Sequence, residues 1–290
     1  MLGDRASWAL LASLALAVGL MAFFLNPIWV AVMVSAALAY GLMSSIVAAR
    51  RLYFLAGASA HSALLAVVLA IPLAELLGLM DERSWALLMG LLLIYAVGYM
   101  IHRGADPDVA TSVFVAATAS ASSLAIYYVL TRFPTEAELW AIIVGDPLLS
   151  SQQDAFYALG VASLTALAVI LTYREQVYIG LDREFMRLSG VRTWAYDLLV
   201  FTCLGLVTVS LIRVVGFVLE HVLLLLPSAV ATRLVKSSGE VLLASTSISL
   251  AASLLGLLLA VSVDLSPAGI VGLVLLTAYL SSLLAGRWAG

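Results

Sequence analysis

Long apolar runs separated by short polar segments repeat along the whole chain. The runs reach or approach the roughly 20 residues that an α-helix needs to cross a bilayer, and they predict about ten spanning helices. These helices are expected at residues 8–25, 28–48, 54–78, 84–101, 109–130, 155–172, 196–212, 214–235, 241–263 and 268–285. The pattern predicts an all-α, polytopic membrane protein in which residues 1–290 form a single transmembrane domain.

Two segments interrupt this pattern. Residues 135–151 are too short to span and contain Gly145, Asp146 and Pro147, so they predict a surface or re-entrant segment. In the apolar run 214–235, Pro227 removes a backbone donor and clashes with the preceding turn. We therefore expect at least one broken helix, with the break near residues 223–227. Broken membrane helices usually lie inside protein, beside a pathway.

A charged stretch at residues 173–194 stands out because only 11% of the chain is charged. Within it, Leu181, Phe185 and Leu188 recur at helical spacing while charged residues face elsewhere, which predicts a short amphipathic helix at residues 182–190. Gly190 can end this helix. The stretch is expected to lie in water and to serve as a cytoplasmic docking segment.

Positive charges fall in loops that the predicted helices place on one side of the membrane. Cytoplasmic loops carry an excess of Lys and Arg, so this side is predicted to be the cytoplasm, and both termini share it. The cationic loops contain Arg50 and Arg51, His102 and Arg103, the stretch 174–192, Arg233 and Lys236, and Arg287. The run 8–25 lacks a cleavage pattern and is expected to be a retained helix.

Composition limits the function further. The 14 Lys and Arg residues are scattered, so no basic stripe suggests nucleic acid, and the single Cys203 excludes an internal disulfide or a multi-cysteine metal cluster. The chain contains no GxxxxGK, HExxH or GxSxG motif. We expect neither an enzyme nor a tightly bound cofactor.

His61, Glu220 and His221 are the candidate metal ligands, because ionisable groups inside a membrane are functional candidates and imidazole is a common ligand. His61 could instead serve packing, and Glu220 could pair with Arg213. Consecutive residues of a regular helix point about 100° apart, so Glu220 and His221 share one ion only if the backbone is irregular. Helix lengths put His61 and Glu220 about 10 Å apart along the membrane normal, which leaves open one site with shifted helix ends or two stations.

The remaining acidic candidates have simpler interpretations. Asp106 and Asp108 are expected to cap a helix, Asp146 and Asp154 to cap or to lie in a solvated loop, and Asp264 to form a turn before Pro267.

Four stretches of the chain resemble the transmembrane permease subunits of ABC importers for zinc, manganese and iron. Residues 50–70 resemble that family's segment of small residues around a Ser or His, and residues 143–154 resemble its Phe-Gly-Asp loop. Residues 212–235 resemble its Val-Gly, apolar run and Pro-Ala-Ala-Thr-Ala-Arg motif, and residues 263–269 resemble its Asp-x-Pro-x-Gly turn. The order and spacing agree over roughly residues 50–284.

The resemblance implies a type II ABC importer fold in the plasma membrane. It implies a second copy of the chain, two copies of a cytoplasmic ABC ATPase and an extracytoplasmic metal-binding protein. The transported ion would be divalent zinc, manganese or iron, and the helix at residues 182–190 would be the coupling helix. Its coupling residues would be Asp182, Glu184, Phe185, Arg187 and Gly190.

The chain departs from the family pattern at the metal site. His61 is carried over by the match, but Ala58 stands where the family commonly has Asp, so one carboxylate is missing. Glu220 and His221 replace residues that are usually apolar, so the ligand set is expected to have moved between helices. A permease for a chelated or organic substrate and a non-transport membrane subunit are the alternatives.

Overall fold

The computed structural model describes residues 5–134 and 136–288, and over those residues it is helical without strands. The side chains of residues 5–11, 136–138, 141 and 285–288 lie outside the description, and these include Glu136, Glu138 and Arg287. The helices are α1 (Arg5–Phe24), α2 (Pro27–Arg50), α3 (Tyr53–Leu77), α4 (Glu82–His102), α5 (Pro107–Arg132), α6 (Glu136–Val144), α7 (Gln152–Leu181), α8 (Arg183–Leu188), α9 (Thr193–Leu234), α10 (Ser238–Val263) and α11 (Pro267–Trp288), and a single 3₁₀ turn covers Pro147–Leu149. The all-α prediction is confirmed.

Most of the acidic loop residues cap helices, as the sequence predicts. The Asp106 carboxylate accepts from the backbone N–H groups of Asp108 and Val109 at the start of α5. Asp154 completes a capping box at the start of α7, and Asp146 caps the 3₁₀ turn. Asp264 ends α10 with a left-handed φ of 54°. The carboxylates of Asp106, Asp146 and Asp154 are therefore held by helix N-termini, and Asp264 lies in the turn between α10 and α11.

Eight helices are long and apolar enough to cross a membrane: α2 to α5, α7 and α9 to α11. The 20-residue helix α1 would extend about 30 Å at 1.5 Å per residue. The nine-residue α6 extends only about 14 Å, so the segment that begins at residue 135 does not span along its described part. This confirms the predicted non-spanning segment.

Helix α9 contains the broken helix. Its 42 residues would extend about 63 Å if straight, twice the thickness of the bilayer core. Gly216 interrupts it with non-helical angles of φ 78° and ψ 160°, a region that essentially only glycine adopts. We call residues 193–215 the first arm and residues 217–234 the second arm.

The contacts of α9 show that its two arms run in opposite directions. Arg50 of α2 pairs with Asp197, and the Tyr40 hydroxyl donates to the carbonyl of Val207, so the first arm is antiparallel to α2.

The second arm is antiparallel to α3. Tyr53 lies 3.3 Å from the hydroxyl of Ser228, and His61 lies beside His221. Only two residues join α2 to α3, so these two helices run in opposite directions. The second arm is therefore parallel to α2 and antiparallel to the first arm. The arms therefore make two crossings. With the seven other helices of spanning length they give nine of the about ten crossings that the apolar pattern predicts, and α1 lies where the remaining one is expected.

The position of the predicted break is wrong. Pro227 lies inside the second arm and is buried, and the next residue, Ser228, donates its backbone N–H to Ser44 Oγ at 3.1 Å. A hydroxyl from α2 thus accommodates the local disturbance that proline causes. The reversal occurs at Gly216 because only glycine takes its backbone angles.

Gly145, between α6 and the 3₁₀ turn, packs backbone to backbone on the turn of α9. Both glycines have positive φ, 75° at Gly145 and 78° at Gly216. A Cβ on Gly145 would collide with the carbonyl oxygen of Val215, and a Cβ on Gly216 would collide with the backbone of Gly145. Two glycines are therefore needed where the non-spanning segment meets the turn of α9.

Ion pairs mark the two ends of the bundle. At one end, which we call the Glu82 end, Glu82 pairs with Arg213, and Arg83 pairs with Asp154. The alternative pairing of Arg213 with Glu220 is therefore wrong, because Arg213 points toward the start of α4.

The opposite end, which we call the Arg50 end, carries α8 and the start of α10. There the Tyr173 hydroxyl donates to the carbonyl of Ser238 at 2.8 Å, which joins the end of α7 to α10. Because α1 precedes α2 and α11 follows α10, α1 begins and α11 ends at the Arg50 end. The prediction that this end faces the cytoplasm stays a prediction.

Candidate functional site

Three rings from two helices form a cluster where α3 packs on the second arm. His61 of α3 lies 5.2 Å from Phe217 and 5.6 Å from His221, measured between ring centroids. Phe217 and His221, one turn apart in the second arm, lie 4.6 Å apart. All three side chains are half-buried. The packing of α3 on the second arm therefore brings two of the predicted ligands together.

The hydrogen bonding of His221 leaves one ring nitrogen available. Its Nδ1 lies 2.8 Å from the carbonyl oxygen of Phe217. A carbonyl only accepts, so Nδ1 carries the proton and donates. The Nε2 lone pair is then available to a cation, in the arrangement typical of histidine ligands whose other nitrogen is bonded to a carbonyl.

The meeting of His61 and His221 shows that the ends of α3 and of the second arm are offset along the bundle. The first residue of α3, Tyr53, lies beside Ser228, six residues before the end of the second arm. Six residues of helix extend about 9 Å, which accounts for the separation expected from helix lengths alone.

Glu220 is placed differently from its neighbour. It is 0% exposed, and neither carboxylate oxygen has a hydrogen-bond partner. Because Glu220 and His221 are consecutive in a regular part of the second arm, their side chains point about 100° apart. Among the described residues, no three His, Cys, Asp or Glu side chains come together in a group that could hold a metal ion. The described geometry thus offers a histidine pair and a separate buried carboxyl.

The helix α8 has the form predicted for residues 182–190. Asp182 ends α7 and caps α8, accepting from the backbone N–H of Phe185 at 2.9 Å. Gly190 follows α8 with φ 83°, which terminates it. Glu184 and Arg187 form an exposed pair at 3.3 Å. One residue therefore connects α7 to α8.

The surface of α8 combines apolar and charged side chains. Phe185 is 63% exposed and Leu188 is 81% exposed. With Asp182, Glu184 and Arg187 beside them, these side chains form a small amphipathic surface at the Arg50 end. Exposed aromatic and aliphatic groups framed by charges are typical of a protein docking site.

An ionic network beneath α8 was not foreseen from the sequence. Asp197 of α9 pairs with Arg50 of α2 and with Arg183 of α8. Arg50 also donates to the side-chain oxygen of Gln176 in α7 at 2.6 Å. The one sequence feature that points to this network is the lone acidic residue Asp197 at the start of an apolar run.

The comparisons with known proteins agree with this architecture. The family model described as the ABC 3 transport family matches residues 20–286. The chain belongs to this family. Membership of the ABC 3 transport family confirms the resemblance to ABC permease subunits and leaves no support for the alternative of a non-transport membrane subunit.

One relative is a probable metal transport system membrane protein of Thermotoga maritima. It is 26% identical over 243 residues, and the match covers 84% of this chain and 83% of the relative. The manganese transport system membrane protein MntC of Halalkalibacterium halodurans is 29% identical over 147 residues, covering 50% of this chain and 49% of the relative.

Solved structures share the fold. PsaBC from Streptococcus pneumoniae in complex with Fab gives a TM-score of 0.74 at 21% identity, covering 88% of this chain and 90% of the matched chain. An inward-facing ABC transporter assigned to the metal-chelate type gives a TM-score of 0.77 at 10% identity, covering 97% of this chain and 99% of that chain. The likeness extends over nearly the whole chain, so the fold is that of an ABC transporter permease.

Proposed function

We propose that this protein is the membrane permease subunit of an ABC transporter that imports a divalent metal ion. In the proposed complex two copies of the chain work with two copies of a separate cytoplasmic ATPase. The ion reaches the permease from an extracytoplasmic binding protein at the Glu82 end. Binding and hydrolysis of ATP move the ATPase, and α8 carries the movement into the membrane helices, which gives alternating access.

The pairing of His61 with His221 is the observation that supports a metal cargo most directly. Polar groups are expensive inside a membrane, and the two imidazoles meet across two helices where apolar side chains would pack at lower cost. The free Nε2 of His221 and the ring of His61 can replace part of the water shell of a divalent ion. Two protein ligands leave positions for water, which suits an ion that must leave again.

The exposed surface of α8 supports the ATPase partner. Phe185 and Arg187 stand on a six-residue helix that Asp182 caps, and the described side chains of this helix bury little against the bundle. The chain has no phosphate-binding loop of its own, so ATP hydrolysis belongs to another subunit. The proposed orientation places α8, and with it both ends of the described chain, in the cytoplasm.

The ion is zinc, manganese or iron in this proposal. Manganese is favoured by the names of relatives such as MntC and the Streptococcus parasanguinis permease ScaB. Zinc and iron are favoured by the ligands, because imidazole suits these ions and manganese prefers carboxylate oxygens. Glu220 is proposed to supply a carboxylate in a state of the transport cycle in which the second arm has turned.

Metal uptake by reconstituted transporter tests the proposal. Vesicles containing the permease, its ATPase and ATP are supplied with radioactive zinc or manganese. His61→Ala and His221→Ala are each expected to lower uptake at least about ten-fold, as loss of a metal ligand does. His102→Ala is the matched control, because that exposed histidine ends α4. Unchanged uptake by both ligand variants contradicts the proposal.

A permease for a metal chelate is the second candidate. One support is the separation of Glu220 from the histidine pair, because no group of three possible metal ligands is found among the described residues. The other is the fold shared with a transporter assigned to the metal-chelate type. In the same vesicles a chelate permease would take up an iron–siderophore complex and ignore the free ion, and His61→Ala would leave that uptake intact.

A further inference from the structure

The ionic network beneath α8 joins four helices through few side chains. Arg50 ends α2, Gln176 lies near the end of α7, and Asp197 lies in the first turns of α9. Arg183 belongs to α8 itself. Apart from the Asp182 cap where α7 ends, the bond from Arg183 to Asp197 is, within the described residues, the only ion pair or side-chain hydrogen bond that connects α8 to the rest of the bundle.

The inner part of this network is buried. The Arg50 side chain is 8% exposed, and Gln176 is 1% exposed. Arg50 donates to both Gln176 and Asp197, and the Gln176 amide donates to the backbone carbonyl of Tyr196 at 3.2 Å. A buried guanidinium that lost its carboxylate would remain as an uncompensated charge, so Arg50 and Asp197 stay together.

The outer part of the network is accessible to water. The Arg183 side chain is 52% exposed and pairs with the second oxygen of the same Asp197 carboxylate. An exposed pair contributes little to stability. Its removal therefore separates α8 from the inner network without leaving a buried charge unpaired.

Helices α2 and α7 are also in direct backbone contact at this point. A Cβ on Gly180 would collide with the carbonyl oxygen of Ala49, so no side chain separates the two helices. A displacement delivered to Asp197 therefore reaches α2 through Arg50, and α7 through Gln176 and this contact.

We infer that Asp197 is a positioning residue that transmits the movement of α8 to α2, α7 and α9. Arg183 delivers the displacement to the carboxylate, and Arg50 and Gln176 pass it on. This inference rests on the proposed function, because the displacement comes from an ATPase bound to α8. None of these four residues contacts the proposed cargo.

The number of ions transported per ATP hydrolysed tests this inference. Permease with Arg183→Gln is reconstituted with the ATPase, and metal uptake and phosphate release are measured in the same vesicles. Co-purification of the ATPase and the melting temperature are expected to match the unmodified protein. Ions transported per ATP are expected to fall at least about five-fold, the lower end of typical allosteric couplings. Arg183→Lys is expected to restore most of the ratio, because it keeps the charge.

Arg174→Gln is the matched control, since it removes an exposed arginine from α7 that lies outside the network. An unchanged ratio in Arg183→Gln overturns the inference and leaves the proposed function intact. A lower ratio accompanied by a lower melting temperature, without rescue by Arg183→Lys, also overturns it. Failure of the unmodified permease to bind any ATPase would overturn the proposed function, and the inference with it.

Discussion

The backbone carbonyl of Phe217 fixes the tautomer of His221. The oxygen lies 2.8 Å from Nδ1, so the proton is held on that nitrogen and Nε2 keeps a lone pair. Phe217 follows the turn residue Gly216 directly. The backbone reversal of α9 at Gly216 is therefore followed directly by the residue whose carbonyl orients His221.

This donor set predicts a preference for zinc over manganese. Imidazole nitrogen suits zinc, manganese prefers oxygen ligands, and Ala58 supplies no carboxylate. In titration calorimetry on the purified permease, zinc is expected to bind at least about ten-fold more tightly than manganese. His61→Ala combined with His221→Ala should abolish the difference, and His102→Ala should preserve it. Manganese binding as tight as zinc binding would contradict the prediction.

Glu220 predicts a variant that is more stable and less active. A buried carboxyl without hydrogen-bond partners costs about 1–3 kcal/mol, so Glu220→Met, which is apolar and of similar size, is expected to raise the melting temperature in detergent. Metal uptake is expected to fall, because the proposed carboxylate ligand is gone. Glu220→Gln keeps an unpartnered polar group and should lower uptake without the gain in stability. If Glu220→Met transports normally, Glu220 has no part in the pathway.

The contact between Gly145 and Gly216 predicts that adding a single methyl group to either glycine destabilises the fold. Gly216→Ala forces a side chain into a backbone conformation that disfavours it and into the backbone of Gly145, so the free energy of unfolding is expected to fall by more than about 2 kcal/mol. Gly145→Ala should behave alike. Thermal unfolding in detergent measures both.

Gly160→Ala provides the control for these two variants. Gly160 lies within α7 with no atom within 4 Å of an added Cβ, so alanine there is expected to stabilise the helix by about 0.5–1 kcal/mol. Equal effects at Gly160 and Gly216 would show that the backbone contact has no energetic role.

The exposed ring of Phe185 predicts a loss of ATPase binding without a loss of folding. Phe185→Ala removes an aromatic group from the α8 surface, and such groups contribute about 2 kcal/mol or more at protein interfaces. Co-purification of the ATPase should fall while the melting temperature stays within error. Phe156→Ala, an equally exposed phenylalanine in α7 near the Glu82 end, should leave co-purification unchanged. Equal retention of the ATPase by the two variants would exclude Phe185 from the interface.

Much of the fold could be predicted because membrane helices follow from composition over long windows. Nine of the about ten predicted crossings, the non-spanning segment and the helix at residues 182–190 all correspond to the structure. The sequence predicts a break near residues 223–227, because proline disrupts helices locally. The break occurs instead at Gly216, whose turn packs on the backbone of Gly145 from another segment of the chain.

The candidate site could be predicted only in part. The sequence indicates His61 and His221 as ionisable groups in apolar runs, but their meeting depends on the offset between α3 and the second arm. The role of Asp197 depends on three other helices, so no local pattern around it indicates that two arginines share its carboxylate.

The single residue between α7 and α8 has a mechanical consequence. Asp182 ends one helix and begins the next, so the angle between them can change only through a few backbone torsions. A longer, flexible linker would let α8 move without moving the helices next to it. With so little compliance at this joint, α8 cannot swing away from Asp197, so a push on α8 is delivered to the contact between Arg183 and Asp197.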